Sequence, residues 1–342
     1  MAEKKSIKIG FVDFWNGFVP EESLFYKMLS KHFEPAISDT PDFLFCSTFG
    51  DDHLKYDCVK IFYTGENQVP DFNLYDYALG FEYLEFGDRY LRFPHYLLNP
   101  EECRAMEHKH EKASVDGRTG FCSYVCSNSQ ASAVRDKFYD KLSSYRTVSS
   151  GGRHRNNVGG PVIDKLEFLS KHKFNIAFEN ASHPGYTTEK IVQAFASGTI
   201  PIYWGDPLVA RTFNTEAFVN VMEYGNWDEA LERIRAIDND DELLISMLRT
   251  PALVDGTDST DRQLAKLEDF LLDIFGQTPE TAFRRDRGFW GERYARRIIK
   301  EKRAYARSLR GLLSRIYKTT LWKSRRRNGL LWGIDKLTKS GR

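Results

Sequence analysis

Three charged residues occupy positions where the charge itself needs a reason. Lys190, in the run TTEKIVQAFASG, falls in the first turn of a segment whose Ile191, Ala194 and Phe195 repeat at helical spacing. Arg135, in SAVRDKFYDKL, lies near the start of another such segment, with Val134, Phe138 and Leu142 four apart. The first turn of a helix already carries partial positive charge, so a cation there costs about 0.3–1 kcal/mol unless an anion lies beside it. A phosphate would be such an anion, because backbone N–H groups and the cation converge on it. The other readings are an exposed Lys190 that pairs with Glu189 or solvent, and an ordinary surface Arg135. Glu66, in FYTGEN, follows an apolar run. Gly65 lets the chain turn at the strand's carboxyl end, so that Glu66 projects toward whatever cleft opens there, although a lone loop acid is commonly a solvated charge.

The elements that must position these residues can be read from pattern. Residues 174–178 and 199–204 are short apolar runs with β-branched and aromatic content, hence strands. Between them come a turn-rich loop, two threonine hydroxyls (Thr187, Thr188) as helix N-cap candidates, the helix of Lys190, and Gly198 to end it. This is a βαβ unit whose loop lies where open parallel sheets bind ligands. Further strands are expected at 6–15, 42–47 and 58–64, with a helical pattern from Pro20 carrying Leu24, Phe25, Met28 and Leu29. They imply a Rossmann-like α/β domain, and the lack of a GxGxxG loop argues against nucleotide binding in that half.

Residues 99–116 are polar and read as surface near a domain junction. His95, His108 and His110 fit a solvated face better than a metal site. A second domain opens with the strand at 120–127 and the helix of Arg135. Gly151 to Gly160 is glycine-rich and basic, suited to close approach to phosphate or to plain connection. A strand at 218–221 and helices at 227–237 and 242–248 follow. Asp238-Asn239-Asp240 has the DxD form that can hold a metal-bound nucleotide, but its place between two helices favours Asp240 or Asp241 as an N-cap.

The chain has 342 residues, enough for two cores, and a net charge of +1 that is unevenly spread. From 284 to 342 there are 20 Lys/Arg against 4 Asp/Glu, which leaves the first 283 residues at −15. Tyr305, Leu309, Leu312, Leu313 and Ile316 repeat at helical spacing among arginines, followed by Trp322, Arg325-Arg326-Arg327 and Trp332. That composition suits an amphipathic helix on an anionic membrane better than nucleic-acid binding, the alternative being a helix packed on the protein's own acidic body. Five cysteines without a CxxC suggest reduced thiols in a cytosolic protein, with core packing the role of Cys122 and Cys126. No targeting segment or bilayer-length apolar stretch is visible, and the expected location is cytoplasmic, peripheral on the inner face of the membrane.

The string FENASHPGYTTEKIVQAFASGTIPIYWG resembles the donor-binding motif of the α-1,3/4-fucosyltransferases, family ten of the glycosyltransferases; Thr187 and Ala181 depart from the usual residues without changing charge. FYTGEN with DFNLYDYALGF and DRYLRFP resembles the acceptor-domain signature of the bacterial members. The resemblance implies a GT-B fold, α/β with two Rossmann-like domains facing a cleft and a basic helical tail: residues 1–118 for the acceptor, 119–282 for the donor GDP-fucose, 283–342 the tail. It implies Glu66 as catalytic base, Arg135 and Lys190 on the diphosphate, and Asn180, Tyr186 and Glu189 as further donor contacts, with Glu189 on a ribose or sugar hydroxyl. The 51 residues between Arg135 and Tyr186 fit the bacterial pattern, and the loop at 151–160 would edge the donor pocket. The implied activity is inverting transfer of fucose from GDP-β-L-fucose to the GlcNAc or glucose 3-OH of a β-galactosyl acceptor of the N-acetyllactosamine or lactose type, giving an α-1,3-fucoside on a Lewis x-type surface glycan such as lipopolysaccharide. No cofactor would be required, a divalent cation (Mn or Mg) being at most stimulatory. The alternatives are a GT-B enzyme using another nucleotide sugar, and a non-catalytic protein that binds glycan or nucleotide sugar.

Overall fold

The structure, a computed structural model, describes residues 4–127, 133–285, 287–308 and 310–314. Residues up to Arg284 form one compact unit, and those from Arg285 a second.

The first unit contains two parallel sheets. In chain order the elements of the first are β1 (Lys5–Val12), α1 (Leu24–His32), β2 (Phe33–Ile37), β3 (Phe43–Cys46), β4 (Val59–Tyr63), β5 (Tyr77–Gly80), β6 (Tyr90–Arg92) and α2 (Pro100–Glu107). Then come β7 (Gly120–Tyr124), α3 (Ala133–Ser143), β8 (Val148–Ser150), α4 (Lys165–Ser170), β9 (His172–Phe178), α5 (Glu189–Ala196), β10 (Ile200–Trp204), β11 (Val219–Asn220), α6 (Trp227–Asp238), α7 (Asp241–Arg249), α8 (Thr260–Gly276) and α9 (Pro279–Ala282). The six strands of the first sheet run in the order β2-β1-β3-β4-β5-β6, the five of the second β11-β10-β9-β7-β8. Every residue of β3 and β4 is buried, as a parallel sheet covered on both faces demands. Pro35 is tolerated because β2 is an edge strand. Both orders are doubly wound, with the chain reversing direction between β1 and β3 in one sheet and between β7 and β9 in the other. The carboxyl ends at those reversals are where such sheets take ligands.

Two parts of the sequence reading need correction. The 119–282 domain included α8, yet α8 lays its apolar face on the first sheet: the Phe275 ring lies 4.6 Å from Phe43 and Phe270 6.1 Å from Tyr77. The pattern of α8 shows an apolar stripe but not which sheet it covers. The polar stretch 99–116 is also not all surface. Cys103 and Met106 are buried, and Glu102 accepts a 3.1 Å hydrogen bond from Gln193 of α5. The Lys109 amine, buried, donates at 3.1 and 2.8 Å to the Met247 and Leu248 carbonyls at the end of α7. A helix C-terminus offers unpaired carbonyls and partial negative charge, which a buried lysine satisfies.

In the second unit α10 (Trp290–Arg307) is exposed along nearly its whole length, and an Arg297–Glu301 pair at 2.8 Å joins successive turns. It closes at Ser308, whose N–H bonds back to Ala304 and Tyr305, so the expected stripe from Tyr305 does not continue as one helix. Ile316, Trp322, Arg325 to Arg327 and Trp332 lie outside the described residues. Among the described residues no helix is long and apolar enough to cross a membrane.

Candidate active site

At the reversal of the second sheet, Arg135 comes from the first turn of α3 and is only 4% exposed. Its guanidinium donates to Asn180 Oδ1 at 2.5 Å, to the Tyr124 hydroxyl at 3.4 Å and to Cys126 Sγ. Tyr124 ends β7 and Asn180 follows β9 by two residues, so the arginine spans the two carboxyl ends between which the strand order reverses. The glycine-rich loop closes against the same place. His154 N donates to the Cys126 carbonyl at 2.9 Å, and a Cβ on Gly152 would fall 2.0 Å from that oxygen. Two of the loop's basic residues are taken up by α3: His154 meets Asp136 at 2.7 Å, and Arg155 pairs with Asp136 and Asp140.

The end of β9 also builds the second cluster. Glu179 is fully buried and accepts from Thr188 N at 2.7 Å, Thr188 Oγ1 at 2.6 Å and Lys190 Nζ at 3.0 Å. The expected threonine caps are therefore replaced. Thr188 occupies the N-cap position without capping, its hydroxyl turned to Glu179, and Thr187 donates instead to buried Asp206 at 3.1 Å. A strand-borne carboxylate placed before the helix is the stronger acceptor. Lys190, for which the sequence left a phosphate partner or Glu189 and solvent, has Glu179 at 3.0 Å and Glu189 at 3.6 Å. Burial disfavours its charge, but the two carboxylates outweigh burial and hold the amine above its ordinary value.

Glu189 is the best-held acid of the site. Burial pushes its carboxyl up, yet Lys190, Lys165 and His95 together bring it down to about 2. Tyr186, 1% exposed, packs edge-on to Phe81 of the first sheet at 5.1 Å, and Gly185 beside it has φ +81° with the Phe81 carbonyl where a Cβ would be, at 2.5 Å. Only glycine permits that conformation and that approach together.

The first sheet contributes Glu66. Its backbone N–H bonds to Thr64 Oγ1 at 2.9 Å, closing a tight turn after β4 that leaves the side chain exposed. Although the side chain keeps solvent access, the protein around it desolvates the carboxyl and raises it above 4.5, with Lys190 lowering it and Glu189 raising it, so Glu66 lies within electrostatic reach of both. Glu66, Tyr186, Glu189 and Lys190 thus share one neighbourhood. Arg135 and Asn180 form another, joined to it through the adjacent Glu179 and Asn180. The sequence reading missed Glu179, Lys165, Asp206 and His95. Glu179 left a trace, an acid directly after a five-residue apolar run. Asp238, of the DxD string, is buried against Arg146 at 2.7 Å and Lys173 at 3.4 Å, while Asp240 caps α7 through Leu243 N, as expected for an N-cap. Among the described residues no three His, Cys, Asp or Glu side chains are placed to hold a metal ion.

Two doubly wound parallel sheets, with a buried arginine at the reversal of one and an acid turn from the other, give the α/β architecture of the GT-B type. Residues 9–99 match the alpha-(1,3)-fucosyltransferase FucT N-terminal domain and residues 115–249 the C-terminal domain of glycosyltransferase family 10 (fucosyltransferase). The chain belongs to glycosyltransferase family 10. It is 38% identical over 292 residues to the alpha-(1,3)-fucosyltransferase FucT of Helicobacter pylori, a match covering 72% of this chain. The chain spans 61% of that relative's length. The human 3-galactosyl-N-acetylglucosaminide 4-alpha-L-fucosyltransferase FUT3 is 26% identical over 143 residues, 41% of this chain and 39% of the relative. The crystal structure of an alpha1,3-fucosyltransferase with GDP-fucose superposes with a TM-score of 0.67 at 33% identity, covering 79% of this chain and 91% of the other.

Proposed function

We propose that this protein transfers L-fucose from GDP-β-L-fucose, with inversion, to the 3-OH of GlcNAc or glucose in an N-acetyllactosamine- or lactose-type acceptor, forming an α-1,3-fucoside of the Lewis x type. The observation that carries the reading is Arg135, buried and bonded to Asn180 at the reversal of the second sheet, with Glu66 within electrostatic reach of Glu189 and Lys190. Similarity to a fucosyltransferase solved with GDP-fucose supports the donor. In this reading the second sheet carries the donor and the first the acceptor. Arg135 and the α3 N-terminus take the diphosphate and stabilise the charge that grows on it as the glycosidic bond breaks. Asn180, Tyr186 and Glu189 orient the nucleotide sugar, and Lys190 lies between sugar and phosphate. Glu66 accepts the acceptor hydroxyl's proton as that oxygen attacks from the face opposite GDP.

No divalent cation is required in this reading, because Arg135 supplies the positive charge on the diphosphate and Lys190, already paired with Glu179 and Glu189, offsets their charge beside it; Mn or Mg at most stimulates. The basic tail at 283–342, with its apolar stripe from Tyr305 and Trp322 and Trp332 beyond it, would hold the enzyme to the anionic inner face of a membrane whose glycolipid, such as lipopolysaccharide, is the final acceptor.

The test is incubation with GDP-fucose and N-acetyllactosamine, product linkage by NMR, and a panel of GDP-mannose and UDP-sugars, each with and without EDTA. An α-1,3-fucoside formed from GDP-fucose alone, and surviving EDTA, is expected. Turnover with another donor, or none, refutes the reading. Glu66→Gln should remove transfer while GDP binding persists.

A further inference from the structure

We propose that His95 is a positioning residue that links the Gly65–Glu66 turn of the first sheet to the Glu189 carboxylate at the head of α5, so that the base and the donor contact are held in register. The inference rests on the fucosyltransferase reading above.

His95 opens the turn that follows β6, immediately after Pro94. Its Nδ1 lies 2.7 Å from the hydroxyl of Tyr63, a fully buried residue at the end of β4. On the other edge of the ring, Nε2 faces Glu189 Oε2 at 3.9 Å. These two partners fix the tautomer. The protonated Tyr63 phenol can donate to Nδ1, and the Glu189 carboxylate on the other edge favours that tautomer, with the imidazole proton on Nε2. The opposite tautomer would aim a lone pair at a carboxylate. At 3.9 Å the Nε2–Glu189 contact is longer than a hydrogen bond and acts as an electrostatic one, with the ring edge directed at the carboxylate.

The same ring shapes the turn that carries Glu66. A Cβ on Gly65 would lie 2.4 Å from His95 Nδ1, so the turn closes directly on the imidazole and glycine is required there. Glu189 is held from its own sheet by Lys190 and Lys165, and from the first sheet by His95. Lys190 and Glu189 are the charged groups acting on His95. Burial disfavours the imidazolium and Lys190 adds to that, while Glu189 opposes them; the net pull is below the ordinary histidine value, which leaves the ring neutral near pH 7. His95 therefore acts as an N–H donor of fixed direction and not as a proton acceptor.

The test compares His95→Phe, His95→Gln and Tyr63→Phe with the wild type, measuring kcat and KM for GDP-fucose and for N-acetyllactosamine alongside thermal midpoints and GDP affinity. Loss of this contact, longer than a hydrogen bond, corresponds to roughly tenfold, the low end for a hydrogen bond to a charged group. His95→Phe should lose that much in kcat, with GDP affinity within about threefold of wild type. His95→Gln, whose amide keeps an N–H toward Glu189, should recover most of it. Tyr63→Phe should cost several-fold in the wild type and nothing further in His95→Phe, since both act through one ring. Wild-type kcat in His95→Phe, or a His95→Gln no better than His95→Phe, overturns the inference. If His95→Phe does not fold, unchanged kcat in Tyr63→Phe and His95→Gln that matches wild type only in melting overturns it equally. An inactive wild type overturns the fucosyltransferase reading and this inference with it; an active wild type with indifferent variants overturns this inference alone.

Discussion

Glu179→Gln tests whether the buried carboxylate behind β9 holds the head of α5 together. The substitution preserves shape and removes one charge. The Glu179 side chain is wholly buried and takes three donors: the Thr188 N–H, the Thr188 hydroxyl and the Lys190 amine. A glutamine offers one acceptor oxygen in place of two, and its NH₂ must face a donor. Removing one partner of a buried pair costs about 3–5 kcal/mol. Here Lys190 is 21% exposed and keeps Glu189 at 3.6 Å, which moves the expectation just below that range, to about 2–3 kcal/mol. For a domain of this size that is a fall of about 4–10 °C in melting temperature. GDP affinity should stay within about threefold, since the site gains one positive charge while losing a support. The double variant Glu179→Gln/Lys190→Met should melt above Glu179→Gln, because it leaves no uncompensated ammonium. Thermal melts and GDP titrations of the two variants suffice. A single variant melting within 1 °C of wild type, or a double variant with additive loss, would refute the pair as the source of stability.

Three further outcomes follow from the same geometry. Arg135→Lys keeps the charge but loses the planar fork that meets Asn180 and Tyr124, and should weaken GDP binding roughly ten- to a hundredfold by calorimetry; unchanged affinity would remove Arg135 from the donor site. The Glu66 carboxyl, raised above 4.5 chiefly by burial, must be ionised to act as base, so kcat/KM should fall on the acid side with an apparent pKa above 4.5, and a limb at or below that value contradicts the assignment. Burial pulls the Lys109 amine down to about 8, so between about pH 8 and 10.5 the unfolded chain binds more protons than the folded one and stability should rise with pH. The rise should reach up to roughly 3 kcal/mol in denaturant unfolding and vanish in Lys109→Met; a flat wild-type profile would show that Lys109 is not buried as drawn.

The central βαβ unit was legible because its strands are apolar runs and its helix has a plain i, i+3, i+4 stripe, and its placement at a ligand-binding edge followed from sheet topology. Lys190 was legible as an anomaly, since local electrostatics disfavours a cation there. Its partner was not. Glu179 lies 11 residues upstream, across a loop that must fold before the two meet, and spacing alone does not report such a contact. His95 was hidden for the opposite reason: a companion HxH pair nearby made it look like part of a solvated histidine-rich face, whereas its ring belongs with Tyr63, from a strand 32 residues earlier. The docking of α8 on the first sheet was unreadable because an amphipathic stripe specifies that a face is covered and not by what.

The distribution of charge explains why one site needs both clusters. Around the head of α5, Glu66, Glu179 and Glu189 face Lys165 and Lys190, so that end carries more negative than positive charge, and Lys190 is already matched by two carboxylates. A diphosphate held there alone would be repelled. Arg135 stands apart at the strand reversal, beside Asn180 and the hydroxyl of Tyr124, with a helix N-terminus behind it. On the proposed function the site is polarised, cationic where a leaving group would gain charge and acidic where a hydroxyl would lose its proton. Inverting transfer asks for that polarity along one line, because the attacking oxygen and the departing phosphate lie on opposite sides of the same carbon. In the proposed reading Lys190, paired with Glu179 and Glu189, offsets their charge where the donor sugar would lie.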